Sequence, residues 1–370
     1  MAMADGEQKI ARLTPLTEVL ALIDTLAQAV RPCDLDVGDA VGRVLAADVT
    51  APKRSVRAMA LQDGWAVRAD DLADAGGYAP VQLANPPVRV EAGDAMPDGA
   101  DAVAPLEAVV LRGGIAEAVE AVAAGEGIAP AGADNASAEP LRKGGERMRA
   151  VDAAVLAAAE IERASVRAPR LRIAAAREDL RLTPALQFIA WDCRARGGIP
   201  MIHNAMTLDD VLGADDCDAV LVVGGSGRGR RDRSVRALAR NGSVAVHGVG
   251  LTPGETAALG QVGSRPVLIV PGRLDAALAA WLTLGRALLA RLSGDDGSEC
   301  AAKLTLSRKV TSTVGLAEFV LVRRDGPNAE PFAGRYLPLS ALARADGWLL
   351  VPAGSEGYPA SAEVAVNTWP

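Results

Sequence analysis

The chain has 370 residues, half of them apolar and only 3% aromatic, with a formal net charge of −7. Such a length predicts several domains with separate cores, and a composition poor in aromatics predicts cores of small aliphatic side chains in many short elements, which suits an α/β protein. The acidic balance argues against a general nucleic-acid or membrane-surface binder, so any anion site must be local.

In chain order, residues 14–30 carry Leu16, Val19, Leu20, Ile23, Leu26 and Val30 on one stripe, with Thr14 as N-cap and Pro15 at the first helical position. This predicts an amphipathic helix. From Val49 to about Gly132, short apolar pieces are broken by Pro and Gly, and Gly113-Gly114 sits between two strand-like runs as a hairpin turn would. That stretch predicts a β-rich unit. A second helix is predicted over 151–168, leading into Pro169. Strands over 170–176, 218–225, 243–250 and 265–272 then alternate with helices over 183–198, 233–242 and 274–294. This alternation predicts a mostly parallel sheet covered on both faces. After the acidic linker 293–300 the pattern turns to β, and a small C-terminal barrel or sandwich follows.

Two histidines in the chain, His203 and His247, make a His-rich zinc site very improbable and a Ser-His-Asp triad nearly so. Cys33, Cys193, Cys217 and Cys300 lie far apart, without CxxC spacing, and read as reduced thiols. The N-terminus lacks a signal-peptide pattern and no run of eighteen apolar residues occurs, so the reading is a soluble cytoplasmic protein.

One stretch stands out for chemistry. In "AVLVVGGSGRGRRDRS" (219–234) a buried strand opens into four glycines within six residues and ends in arginines. Glycines at the carboxyl edge of a parallel sheet let backbone amides approach an anion closely. Alone, such a turn also serves as a plain strand-to-helix connection, with Arg228, Arg230, Arg231 and Arg233 facing water. "LTPGE" (251–255) and "VPGRL" (270–274) place Pro-Gly at two further strand exits, which favours a shared cleft.

The pieces "ALQDGWAVRADDL" (60–72), "AGDAMPDGADAVAPLE" (92–107), "VLVVGGSGRGRRD" (220–232), "LTPGETAALG" (251–260) and "LIVPGRLDAAL" (268–278), in this order and spacing, resemble the molybdopterin molybdenumtransferase (MoeA) family, which includes the E domain of gephyrin. The resemblance covers about residues 10 to 367. It implies a multidomain α/β fold: a helical segment and linker over 1–48 and 137–168, a β-rich insertion over 49–136, a mostly parallel, MogA-like molybdopterin-binding α/β domain over 169–296, and a C-terminal β-barrel over 300–370. It further implies a homodimer whose cleft lies between the α/β domain of one subunit and the insertion of the other. The chemistry implied is insertion of molybdate into adenylylated molybdopterin with release of AMP, assisted by Mg2+. The implied partners are a pterin substrate, a second copy of the chain and, as a further option, another molybdenum cofactor biosynthesis protein.

Carried over residue by residue, the resemblance assigns catalysis to Asp63, Asp134, Asp179 and Asp232. Cofactor binding falls to Gly224, Gly225, Ser226, Gly227 and Arg228, to Pro253 and Gly254, and to Pro271, Gly272 and Arg273. The departures are substantial. The family's Ser-Thr-Gly-Asp-Glu is here Ala175-Ala176-Arg177-Glu178-Asp179, and its Lys-Pro-Gly-Lys-Pro is Thr252-Pro253-Gly254-Glu255-Thr256, which exchanges two cations for a neutral residue and an acid. Arg228, Arg230, Arg231 and Arg273 stand where the family has other residues, so positive charge has moved. Two readings stay open: a divergent molybdenumtransferase in which arginines replace lysines, and a catalytically impaired molybdopterin-binding relative acting as a binding or partner module.

Overall fold

The computed structural model describes residues 8–51, 57–133, 140–203, 207–295 and 301–370. Asp134 and Cys300 lie outside the described residues. The chain divides into two compact units, Val49–Leu141 and the remainder, Met1–Asp48 with Arg142–Pro370.

The larger unit is built on a six-stranded sheet in the order Ile199–His203, Arg170–Ala175, Ala219–Val223, Arg265–Val270, Ala258–Val262, Ser243–His247. The first four strands are parallel and the last two run antiparallel to their neighbours. A mostly parallel sheet is therefore what forms. Its central strand is apolar at every position because both faces are covered. Ala219, Leu221 and Val223 enter a core shared with the helices Leu16–Leu26 and Thr183–Ala195 and the long helix Leu274–Ser293. Val220 and Val222 enter a second core with Val211, Leu212, Val235 and Leu238. The period-two alternation of a strand divides these residues between two layers. The register pairs Ala175 with Val223 and Val223 with Val270, so three strands end flush and release their loops at one edge.

The helix Leu274–Ser293 is long and apolar enough to cross a membrane by composition, but 72% of its most apolar window is buried within the protein. It is the core helix of the larger unit. Gly285 in its middle lies so close to Trp281 that an added Cβ would fall 2.1 Å from the indole ring.

In the C-terminal region, strands Ala317–Asp325, Asn328–Ala333, Ala302–Leu306, Glu363–Thr368 and Gly347–Val351 close on themselves, since the last pairs again with the first. The barrel interior takes Val320, Val322, Leu304 and Val364, while the alternate residues Phe319 and Leu321 face the main core. The smaller unit is β-rich, with three small sheets among its described residues. Its Val109–Arg112 and Ile115–Ala118 form the hairpin, and Gly113 and Gly114 supply the two positive φ values, 56° and 85°, that the turn requires.

Several expectations need correction. The first helix spans Leu16–Leu26, not 14–30: Thr14 and Pro15 pair with Val249 and Gly250, Pro15 is the N-cap residue, and Thr14 caps nothing. The helix stops at Ala27 as the chain turns extended, and Val30 N–H then bonds Leu292 O at 2.8 Å. The second helix is Ala150–Ala158; beyond it Arg163–Arg167 is a strand, antiparallel to Cys33–Asp36 and Val44–Leu45, with Ala164 and Val166 inward. Run together, two short elements of different period read as one helix. The segment 243–250 is two strands split at Gly248 (φ 104°), and the second, Val249–Thr252, leaves the α/β sheet for the barrel sheet. Strand Ile199–His203 ends at His203, where a strand end is expected from sequence, and Ala258–Val262 is a further strand of the sheet.

Cys33, Cys193 and Cys217 are free thiols. Burial pushes the Cys193 thiol up to about 12, so it is unreactive.

Candidate functional site

At the flush strand edge lies a cleft of about 550 Å³. Three loops wall it: Arg177–Leu182 after the first parallel strand, Gly224–Gly227 after the central strand, and Pro271–Leu274 at the start of the long helix. Glu255 and Thr256 complete the wall. The close approach requires small residues. A Cβ on Gly272 would lie 3.3 Å from Gly224 Cα, and one on Gly225 would fall 2.2 Å from Ser234 Oγ. Gly224 (φ 91°) and Gly225 (φ 69°) adopt backbone conformations that side chains disfavour.

The Gly224–Gly227 turn is fastened from behind. Gly224 O accepts from Ser234 Oγ (2.9 Å), and Gly225 O from Ser234 N (3.1 Å) and Gln8 Nε2 (3.0 Å). Gly227 O accepts a second bond from Gln8 Nε2 (2.9 Å), and Ser226 O lies 2.9 Å from His247 Nε2. Thr256 Oγ1 and Ser226 Oγ, 2.9 Å apart, tie two walls together.

Three arginines, Arg177, Arg181 and Arg273, and three carboxylates, Asp179, Asp232 and Glu255, line the cleft. Most are already engaged. Asp179 accepts from Arg181 Nε and Nη2 (both 2.9 Å) and from Arg177 Nη2 (2.8 Å). The Arg181 and then the Arg177 guanidinium hold its carboxyl far below the usual carboxylate range. Arg273 Nε donates to buried Asp275 (2.6 Å), which also accepts from Leu337 N (3.2 Å), and the Arg273 guanidinium sits 5.9 Å from the Tyr336 ring centroid. Asp232 Oδ2 accepts from Gly229 N (3.0 Å), and Glu255 Oε2 from Gly254 N (3.1 Å). With equal numbers of each sign, the side chains give the cleft no formal positive charge.

Of the residues singled out from sequence, Gly224, Gly225, Ser226, Gly227, Pro271, Gly272, Arg273, Asp179 and Asp232 meet in this cleft. Arg228 stands outside the lining, exposed, with Nη2 on Ile10 O (3.2 Å). Pro253 and Gly254 are buried beyond it and do not line it, although Glu255 and Thr256 just after them do. Asp63 lies in the smaller unit, where Oδ1 accepts from Ala92 N at 2.9 Å. Sequence reasoning passed over Arg181 and Gln8 and gave His247 no chemistry. Gln8 reaches the turn across more than 200 residues, and no local pattern signals it.

Among the described residues no group of three or more His, Cys, Asp or Glu side chains could hold a metal ion. A resident magnesium does not fit this donor set; one arriving with substrate phosphates needs only one or two carboxylates.

Three family models match the chain. The MoeA N-terminal region (domain I and II) covers residues 14–159, a probable molybdopterin binding domain covers 200–291, and the MoeA C-terminal region (domain IV) covers 303–369. A Methanocaldococcus jannaschii protein named for molybdopterin biosynthesis is 25% identical over 364 residues, covering 88% of this chain and 89% of that protein. Among solved structures, the molybdopterin biosynthesis moeA protein of Pyrococcus horikoshii superposes with a TM-score of 0.75 at 24% identity, covering 97% of this chain and 100% of that one. A molybdenum cofactor biosynthesis protein of Pyrococcus furiosus does so with a TM-score of 0.59 at 20% identity and the same coverage. The likeness to these two structures is one of fold.

Proposed function

From the premise that this chain is a divergent member of the MoeA family, whose work is molybdenum cofactor biosynthesis, we propose that its cleft takes adenylylated molybdopterin and that the protein inserts molybdate with release of AMP. The observation that carries the reading is the meeting of three strand-exit loops around one 550 Å³ cleft, with glycines where a bulky anionic ligand must approach backbone.

In this reading the Gly224–Gly227 turn receives the phosphate. Arg177, Arg181 and Arg273 set the rim that holds phosphate and oxyanion, as forked donors do. Asp232, whose Oδ2 is fixed by Gly229 N, orients the attacking oxygen with its other carboxylate oxygen. Asp179 is a positioning group, since both neighbouring guanidinium groups already claim it. A homodimer belongs to the reading, and sedimentation of the purified protein tests it.

The deciding experiment incubates the protein with adenylylated molybdopterin and molybdate, with magnesium supplied, and measures AMP. Release that D232N lowers at least about a hundredfold supports insertion. Pterin binding without AMP would leave only the binding module standing, and a pterin whose fluorescence ignores the protein would overturn the reading.

A further inference from the structure

Four successive carbonyls, those of Gly224, Ser226, Gly225 and Gly227, all have donors: Ser234, His247 and, for the last two, Gln8. The amides that follow them, of Gly225, Ser226, Gly227 and Arg228, meet no acceptor among the described residues. The peptide group is planar and trans, so each amide N–H points opposite to its carbonyl. Pulling the carbonyls to one side therefore turns the amides to the other. Gly225 and Ser226 are buried, Ser226 only 1% exposed, and unpaired amides at that depth are rare.

The other sources of attraction for an anion are weak here. Arginines and carboxylates balance around the cleft. The helix Ser234–Asn241 begins just past the turn, but its first free amides are taken: Val235 N (3.0 Å) and Arg236 N (3.2 Å) both donate to Gln8 Oε1. A helix N-terminus that usually faces the ligand is closed here by a side chain from far upstream. Gln8 is 3% exposed, and its carboxamide does both jobs at once. His247 supplies the third donor; because a carbonyl only accepts, Nε2 must carry the proton.

We propose that Gln8 and His247 are positioning residues that hold the Gly224–Gly227 carbonyls back and so present a nest of three or four amides to a tetrahedral oxyanion in the cleft. Anion capture in this chain thus rests on backbone rather than on net side-chain charge. The inference depends on the proposed function only for which oxyanion is natural; inorganic phosphate and molybdate serve as probes.

The test has two arms. In the wild-type protein labelled with 15N, titration with phosphate should move the amide protons of Gly225, Ser226 and Gly227 downfield. In the variants, Q8E keeps the oxygen that caps Val235 and Arg236 but loses the donor, whereas H247F removes a donor without touching the helix. Each should lower phosphate and molybdate affinity at least about tenfold; Q8E also lowers the melting temperature, because a buried carboxylate then faces two carbonyls, so its affinity is read on the folded protein, and H247Q, which restores a donor, should recover most of the loss. Wild-type amides that stay still while phosphate or pterin binds would overturn the inference and spare the cleft reading. A folded Q8E that binds like wild type would overturn it too. Should neither phosphate nor pterin bind the wild-type protein, the cleft reading itself fails.

Discussion

The turns at 224–227 and 252–255 look alike in sequence, each a glycine break after an apolar strand, yet they do different work. The first leaves the central strand of the α/β sheet, keeps its amides open, and walls the cleft. The second leaves a strand that pairs with Ala317–Asp325 in the barrel sheet; its Pro253 and Gly254 are buried away from the cleft, and it reaches the wall only through the Glu255 end. A glycine turn becomes a binding element through the sheet its strand joins and through what fastens its carbonyls, not through its glycines alone.

Substituting both turns sharpens that contrast. G225A forces a Cβ to within 2.2 Å of Ser234 Oγ at a φ of 69° and should cost about 2–4 kcal/mol of stability together with nearly all phosphate and pterin binding, read by denaturant unfolding and calorimetry. G254A meets Leu251 Cδ2 at 3.0 Å at a φ of 140°; it should also destabilise the fold but leave phosphate affinity within about twofold once folded protein is selected. Equal binding losses in the two variants would erase the distinction.

A smaller effect separates the side chains of the two walls. E255Q removes one carboxylate from a balanced cleft, so phosphate affinity should rise about three- to tenfold at low salt, and the gain should fade with added salt. No gain would mean that Glu255 does not feel the ligand.

The smallest effect concerns pH. Asp179 has its folded-state pKa lowered by Arg181 and Arg177, so its contribution to stability is present above the unfolded value of about 4 and is lost only as pH falls through the folded one. Its carboxyl carbon should therefore show no titration by NMR between pH 7 and about 3. A midpoint near 4 would mean that the arginines are not held where the structure has them.

Much of this was legible from the chain. The alternation of strand and helix gave the parallel sheet, because buried strands and amphipathic helices carry different periods, and Gly113-Gly114 gave its hairpin. Local pattern failed where a short strand followed a short helix, as at 159–167, and where one apolar run served two sheets, as at 243–252. Of the cleft, the glycines and Asp232 were readable because they follow strands at the sheet's carboxyl edge. Gln8 and His247 were not, since a carboxamide or an imidazole acquires its role only from the carbonyl it meets.

By itself, the order of residues determined the class of fold and the places where backbone could approach a ligand, since strand period and glycine are local properties. Which turns share a cleft, which arginines are already spent on carboxylates, and which way the amides of residues 225–228 point were decided only by tertiary structure. Those depend on contacts across more than 200 residues, such as Gln8 to Gly227, and no window of sequence contains both partners.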